Sequence, residues 1–367
     1  MAQRPDGSFS WANLNIVAGR RIEPGIIRPA PFPALTGGLS VIAWGVDSRR
    51  VYYADTDGAV VELGCNGKGW EYRNFTSEFA APAAAWNSPF AAGGWRSGKM
   101  SVYYVTENRE LAILLFDSGW QLGVDSWHPR AAPGRPLAAL QNGRGRFAYY
   151  FDDDNHLREV EEFGTRKAQG TDLTDFAKLR PASLLSGMAA VGWGEDSRRI
   201  YFGDAQDNLM EAIGYGDSGN RWSSQDLGGL GAKRLDGGSP LAAATTGDAL
   251  GGVAMWCQQS KPIWLAREGG WSSEEIYTTE EGVRPVVSAN SSVACAVSAS
   301  RQPWVAFVSE DDHLCLWRGP ERDWSWWDLT AELGLPPVAR VAAQGPLALA
   351  HTEGGPRVYY LTDEPEF

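Results

Sequence analysis

The sequence predicts an all-β repeat protein, and three observations predict it. The chain carries 43 Gly, 21 Pro and 17 Trp among 367 residues and has no long helical apolar periodicity, a pattern of short strands joined by frequent turns. The stretch from Arg50 to Glu62 reads as a β-hairpin, aromatic and β-branched over Val51 to Ala54, turning at Asp57-Gly58 and resuming at Ala59. It returns from Arg199 to Glu211 with arginine and glutamate again twelve residues apart. Finally, an anchor position recurs at Tyr52, Tyr103, Tyr149, Tyr201, Ala254, Ala306 and Tyr359, in steps of 51, 46, 52, 53, 52 and 53 residues.

A period near fifty residues with four strands per unit is the signature of a β-propeller, whose blades bury their faces only against neighbours. The expected fold is a single domain, 1–367, forming a seven-bladed β-propeller. Its approximate blades are 28–76, 81–127, 136–174, 181–228, 239–279, 284–330, and 337–367 completed by 1–14.

Each unit is expected to open on a small apolar strand: Leu39 to Trp44, Ala83 to Trp86 or Ala91 to Trp95, Pro136 to Leu140, Met188 to Trp193, Leu241 to Ala244, Arg284 to Ser288, and Val338 to Ala342. The anchor strand follows, then a hairpin, a third strand and a Trp-bearing fourth strand, as at Trp70 to Thr76 and Trp327 to Thr330. Ser10-Trp11-Ala12-Asn13-Leu14 resembles such an ending with no unit before it. An N-terminal strand completing the C-terminal blade, and so closing a ring, explains this.

The formal net charge of −12 opposes a nucleic-acid partner or an anionic membrane surface. Cys65, Cys257, Cys295 and Cys315 are scattered without a C-x-x-C pair, so neither a zinc site nor a disulfide framework is expected, and they read as small buried hydrophobes in a reducing compartment. No segment has the ~20 apolar residues of a membrane span and Met1 to Gly7 lacks a signal-peptide run. The expected location is cytoplasmic, with non-classical release as the alternative. The acidic turns at Asp55 to Gly58, Asp152 to Asn155, Asp204 to Asn208 and Glu310 to Asp312 could suggest calcium, but Asp, Asn and Gly are also hairpin-turn residues and no bidentate Glu follows at EF-hand spacing. No metal and no cofactor is expected.

Arg50 and Glu62 flank their turn at similar distances, which places them about opposite each other on adjacent strands. Such a pair is either a cross-strand ion pair or a set of donors and acceptors for a neutral polyhydroxylated ligand, each hydroxyl of which both donates and accepts. The second use also calls for an aromatic platform, for which Trp offers the largest face.

The two Arg-to-Glu runs, with Ser101-Val102-Tyr103-Tyr104 leading through Leu114 to Trp120, resemble the fungal fucose-specific lectins of the orange-peel mushroom type. In that family Arg and Glu come from one blade and Trp from the next. The resemblance implies complete sugar sites at Arg50, Glu62 and Trp120, and at Arg199, Glu211 and Trp271. It implies two partial ones: Glu159 and Trp222 with Arg146, one residue early for the arginine slot that Phe147 fills, and Arg357 and Trp70 with Gln3 in the glutamate slot, counted back from Trp11. Those fungal lectins have six blades; seven units match related bacterial fucose-binding propellers.

The implied function is a non-enzymatic, multivalent lectin for fucose or fucosylated glycans on glycoproteins, glycolipids or cell surfaces, and a homo-oligomer would multiply its clefts. A glycosidase would need a converging carboxylate pair, which the sequence does not identify. A protein-interaction propeller without sugar binding is the second reading, although the Gly-His and Trp-Asp signature is missing in register.

Overall fold

The computed structural model describes residues 31–361 apart from loop segments, the longest being 276–286 and 336–346, and before them the strand residues 2–3, 9–10, 20–23 and 26–28. Side chains before residue 31 and over 246–286 lie outside the described part. The described strands form seven four-stranded antiparallel sheets and one two-stranded hairpin, Arg20–Glu23 with Ile26–Arg28.

In the first blade Ser40–Trp44, Ser48–Ala54, Val60–Asn66 and Trp70–Asn74 lie side by side in sequence order. The innermost strands of successive sheets touch in a cycle: Ser40–Trp44, Phe90–Gly94, Leu137–Gln141, Met188–Trp193, Leu241–Thr245, Val293–Val297, Leu347–Thr352 and back to the first. The closing blade combines Leu347–Thr352 and Gly355–Tyr360 with Ala2–Gln3 and Phe9–Ser10 from the other end of the chain. The fold is an all-β propeller with four-stranded antiparallel blades.

Hydrophobic cores sit between adjacent blades, because each sheet exposes two apolar faces that only a neighbour can cover. One core unites Tyr52, Val60 and Phe75 of the first blade with Phe90, Tyr104 and Trp120 of the second. The anchor tyrosines Tyr52, Tyr103, Tyr149 and Tyr201 are fully buried.

The five-residue hairpin loop repeats with one device. Asp55 accepts hydrogen bonds from the backbone N–H of Asp57 and Ala59 at 2.9 and 2.8 Å, Asp152 from Asp154 and His156, and Asp204 from Gln206 and Asn208. The fourth turn position is left-handed each time, at Gly58, Arg109, Asn155, Asp207 and Asp312, where glycine, Asn and Asp are best tolerated. These carboxylates serve their own turns.

Several strand boundaries differ from expectation. The second blade opens on Phe90–Gly94, while Ala83 to Trp86 is connecting loop tied by the isolated bridge of Ala84 with Thr106. The sixth opens on Val293–Val297, and Val287 makes the corresponding bridge with Ser309. Two small apolar runs before each anchor compete for one slot, and only pairing with the anchor strand chooses between them. The stretch Val338 to Ala342 lies outside the described residues, and the closing blade opens on Leu347–Thr352.

Short helices not foreseen from the sequence follow three fourth strands: Phe75–Phe79, Leu173–Phe176 and Leu329–Leu333, capped by Asn74, Asp172 and Asp328. Their threonines accept from the start of the third strand, Val60 N–H to Thr76, Leu157 N–H to Thr174 and Leu314 N–H to Thr330, at 3.1, 2.8 and 2.9 Å. The repeated text Asn/Asp, Phe/Leu, Thr is therefore a strand-to-helix stop. No helix among the described residues is long and apolar enough to cross a membrane.

Candidate functional site: clefts between adjacent blades

Arg50, Glu62 and Trp120 line one cavity of about 260 Å³ between the first and second blades, together with Trp44, Tyr72 and Arg73. Arg50 donates to the carbonyls of Arg49 (2.8 Å) and Cys65 (3.0 Å) and to Oδ1 of Asn66 (2.8 Å). Its Nε stands 3.7 Å from Glu62 Oε1, and its guanidinium lies 5.1 Å from the centre of the Trp44 ring. Burial pushes the Glu62 carboxyl above its ordinary range, opposed by Arg50, the Tyr52 hydroxyl and Arg73. Its Oε2 is buried without a hydrogen-bond partner among the described residues, so the cleft holds a fixed cation beside an acceptor oxygen open to a ligand donor.

The pairing register corrects the expectation that Arg50 and Glu62 face each other. Arg50 pairs with Gly64, and Glu62 with Tyr52. The loop is centred on Asp57, one residue later than a midpoint between Arg50 and Glu62, so the two share a face as diagonal neighbours. Gly64 gives the guanidinium room, since a Cβ there would stand 3.3 Å from Arg50 Cδ and Nε; in the second pair Ile213 holds this register position. Trp44 was missed, although Trp-Gly-x-Asp-Ser-Arg-Arg occurs at both Trp44 and Trp193 and the periodic text carried that signal. Trp120 is only 8% exposed, packed edge-on against Tyr52, Phe75 and Phe116, so it is a wall of the cleft as much as a platform.

The second pair repeats the geometry with a tighter closure. Arg199 Nε is 3.1 Å from Glu211 Oε1, with side chains 1% and 0% exposed, and Glu211 accepts from the Tyr201 hydroxyl at 3.2 Å. Arg199 donates to Arg198 O and to the Tyr215 hydroxyl and lies between the rings of Trp193 and Tyr215. Tyr215 holds the position of Asn66 and covers the guanidinium. Trp271 begins strand Trp271–Glu275; its side chain lies outside the described residues.

In the third cleft the structure separates Arg146 from Glu159. Arg146 pairs across the sheet with Glu162, while Glu159 pairs with Tyr149, and the one-residue offset puts Arg146 on the opposite face. There it contacts Asp117 and Phe116 O of the preceding blade. Glu159 instead accepts from the Tyr149 hydroxyl at 2.8 Å and faces Arg198 of the next blade, whose Nε is 3.6 Å away and whose Nη1 is 3.2 Å from Glu161. The Arg198 guanidinium lies 5.2 Å from the Trp222 ring centre. An arginine of the protein thus occupies the space between Glu159 and Trp222. Register assigns the same slot to Met100 in the first cleft, and this apolar residue leaves that cleft open.

In the closing cleft Arg357 donates to Pro356 O at 3.2 Å, the same fold-back onto the preceding carbonyl as Arg50 and Arg199. Trp70 meets Tyr359 edge-on at 6.3 Å and 77°, matching Tyr52 with Trp120 at 6.1 Å and 76° and Tyr149 with Trp222 at 6.4 Å and 76°. Three of the four tryptophans proposed from sequence therefore meet the anchor tyrosine of the preceding blade. Gln3 does not hold the glutamate slot. Arg357 pairs with Ala2, as Arg50 pairs with Gly64, so Gln3 stands at the register position of Cys65. Counting back from Trp11 assumed a linker of standard length, and this terminal strand pair has another.

His156, Asp172 and Asp175 bring three metal-type ligand groups together. The same contact recurs at His313 and Asp328, 2.6 Å apart, where Asp328 caps a helix, which makes it part of the blade's strand-to-helix stop.

No known family model and no curated protein matches the sequence. Solved structures do. A lectin of Aleuria aurantia, described as a six-bladed β-propeller with a novel fucose recognition mode, is similar at 20% identity over 80% of this chain and 96% of that one, with a TM-score of 0.58. The BP39L lectin of Burkholderia pseudomallei is similar at 12% identity over 90% and 94%, TM-score 0.60, and the SapL1 lectin, solved with α-methyl fucoside, at 18% over 80% and 97%, TM-score 0.55. At these identities the likeness establishes the architecture, a propeller of four-stranded antiparallel blades shared with lectins.

Proposed function

We propose that this chain is a carbohydrate-binding lectin without catalysis, a seven-bladed ring that recognises fucose or fucosylated glycans in clefts between blades. The observation that carries the reading is the first cleft, where Arg50, Glu62 and Trp120 converge on one cavity with Glu62 Oε2 open to a ligand donor. Its volume, about 260 Å³, lies just below the ~300–1,000 Å³ of drug-sized ligand sites and suits a single sugar ring. A guanidinium donor, a carboxylate acceptor and apolar walls match the alternating hydroxyl and C–H surfaces of such a ring. The neighbouring lectins described with fucose or a fucoside support the choice of sugar.

The Arg199 and Glu211 site would serve as a second cleft once Tyr215 swings aside, giving a multivalent lectin. A second reading, a protein-docking scaffold, draws on the exposed Trp86, Leu184 and Leu185 in the loops entering the second and fourth blades. Titration calorimetry with methyl fucoside on the wild type and on Arg50→Ala decides between them. Saturable binding that loses its tightest class of site on the substitution, with the fold intact by circular dichroism, is expected; no heat at millimolar sugar, alongside glycan-array silence, would sink the lectin reading.

A further inference from the structure

The closing cleft is built like the first but carries a different charge. In the first cleft the Arg50 guanidinium faces the Glu62 carboxylate, and Arg73 and Glu71 on the same lining balance each other in charge. In the closing cleft Arg357 occupies the arginine slot, and Arg49 of the first blade reaches in beside it, its guanidinium 5.3 Å from the Trp70 ring centre and its Nη2 spent on Cys65 Sγ at 3.4 Å. Arg49 holds the register position of Arg198, which Glu159 and Glu161 neutralise. Neither Arg49 nor Arg357 has an ion pair among the described residues. The carboxylate both feel, Asp47, is exposed. The Nε atoms of Arg49 and Arg357 are buried without a hydrogen-bond partner among the described residues, and the Tyr359 hydroxyl, on a residue 7% exposed, lies against the Arg49 guanidinium. Arg357 is held below the ordinary arginine range by burial and by Arg49, whereas Arg49, against the pull of burial, is raised above it through Cys65, Tyr359 and Asp47. The His351 imidazole nearby is shifted below its ordinary range by burial and by Arg357.

We propose that this cleft takes an oxyanion carried on a saccharide, a carboxylate or sulfate group held between Arg49 and Arg357 with Tyr359 as a further donor. An anion supplies the acceptors that the two buried Nε donors lack among the described residues and neutralises two adjacent guanidiniums, and a planar carboxylate fits the guanidinium fork. The protein would then read a neutral sugar in its first cleft and an acidic one where the ring closes, which deepens the lectin reading and rests on it for the saccharide part.

The test is titration calorimetry with glucuronate, its methyl ester and inorganic sulfate, on the wild type, Arg357→Gln, Arg49→Gln and Arg50→Ala. Glucuronate should bind about tenfold or more tightly than the ester. Either Gln substitution at Arg49 or Arg357 should weaken it by a similar factor while Arg50→Ala leaves it unchanged. Raising salt from about 50 to about 500 mM should weaken glucuronate and leave methyl fucoside unaffected. Both Gln variants remove like-charge repulsion, so their melting temperatures should hold, and methyl fucoside binding in them reports the first cleft separately. Equal affinity for acid and ester, or acid binding that survives Arg49→Gln/Arg357→Gln, overturns the proposal. Sulfate binding without glucuronate binding overturns the saccharide part and leaves a simple anion site.

Discussion

Replacing Glu62 with Gln separates a binding carboxylate from a structural one. The Arg50 Nε to Glu62 Oε1 separation of 3.7 Å corresponds to a gross attraction of about 4 kcal/mol at an effective dielectric near 20. The carboxyl is nonetheless pushed above its ordinary range, burial being the largest cause, so desolvation outweighs the attraction and ionised Glu62 is a net cost to the fold. Gln keeps the shape and an acceptor oxygen and removes that cost. The melting temperature of Glu62→Gln should therefore equal or exceed that of the wild type. Binding should suffer, because hydrogen bonds to a charged acceptor contribute ~1.5–3 kcal/mol against ~0.5–1.5 for neutral ones. One or two such bonds lost to a sugar hydroxyl amount to roughly 1–2 kcal/mol, or about 5- to 30-fold in Kd. Calorimetric unfolding paired with methyl fucoside titration reads both. A lowered melting temperature with unchanged sugar affinity would refute the reasoning and return Glu62 to the role of a cross-strand ion pair.

Glu211→Gln should behave oppositely at the level of the fold, lowering the melting temperature, since the Arg199 contact is 3.1 Å, fully enclosed and shared with the Tyr201 hydroxyl; an unchanged melting curve would contradict this. Arg198→Ala should destabilise by about 3–5 kcal/mol in urea unfolding, because it takes a buried counter-charge from Glu159 and Glu161, and a loss under 1 kcal/mol would show that their remaining contacts suffice. Glu162 is pushed up to about 7 by burial, against the pull of Arg146. The unfolded chain releases this proton near pH 4.5 and the folded chain retains it to about 7, so stability falls across that window, by on the order of 3 kcal/mol, and is flat above it. Glu162→Gln should remove that slope from a plot of unfolding free energy against pH; identical slopes for both proteins would refute it. Asp328→Ala removes a helix cap and the His313 contact and should cost about 1 kcal/mol in the same unfolding assay.

Much of the architecture was legible because a propeller is written as a repeat. Tyr52, Tyr103, Tyr149, Tyr201 and Tyr359 recur because each blade must cover its neighbour at the same point, and the Asp-x-x-Gly/Asn turns recur because each hairpin needs one left-handed residue. The Arg-to-Glu spacing was visible for the same reason. Boundaries were not: Ala83 to Trp86 and Ala91 to Trp95 have the same local preference, and only hydrogen bonding to Met100–Val105 selects the second run.

Sequence by itself determined which blades carry an arginine, a glutamate and a following tryptophan, since composition at a repeat position survives without coordinates. Only the tertiary structure decided which of those clefts is open. That depends on what the next blade contributes at one shared slot: Met100 beside Glu62, Arg198 against Glu159, Arg49 beside Arg357. Met100 and Arg198 lie some forty positions from the glutamates they stand beside, and Arg49 lies across the ring closure from Arg357. Their effect arises from side chains meeting across a gap between blades, a distance in space that no spacing along the chain encodes.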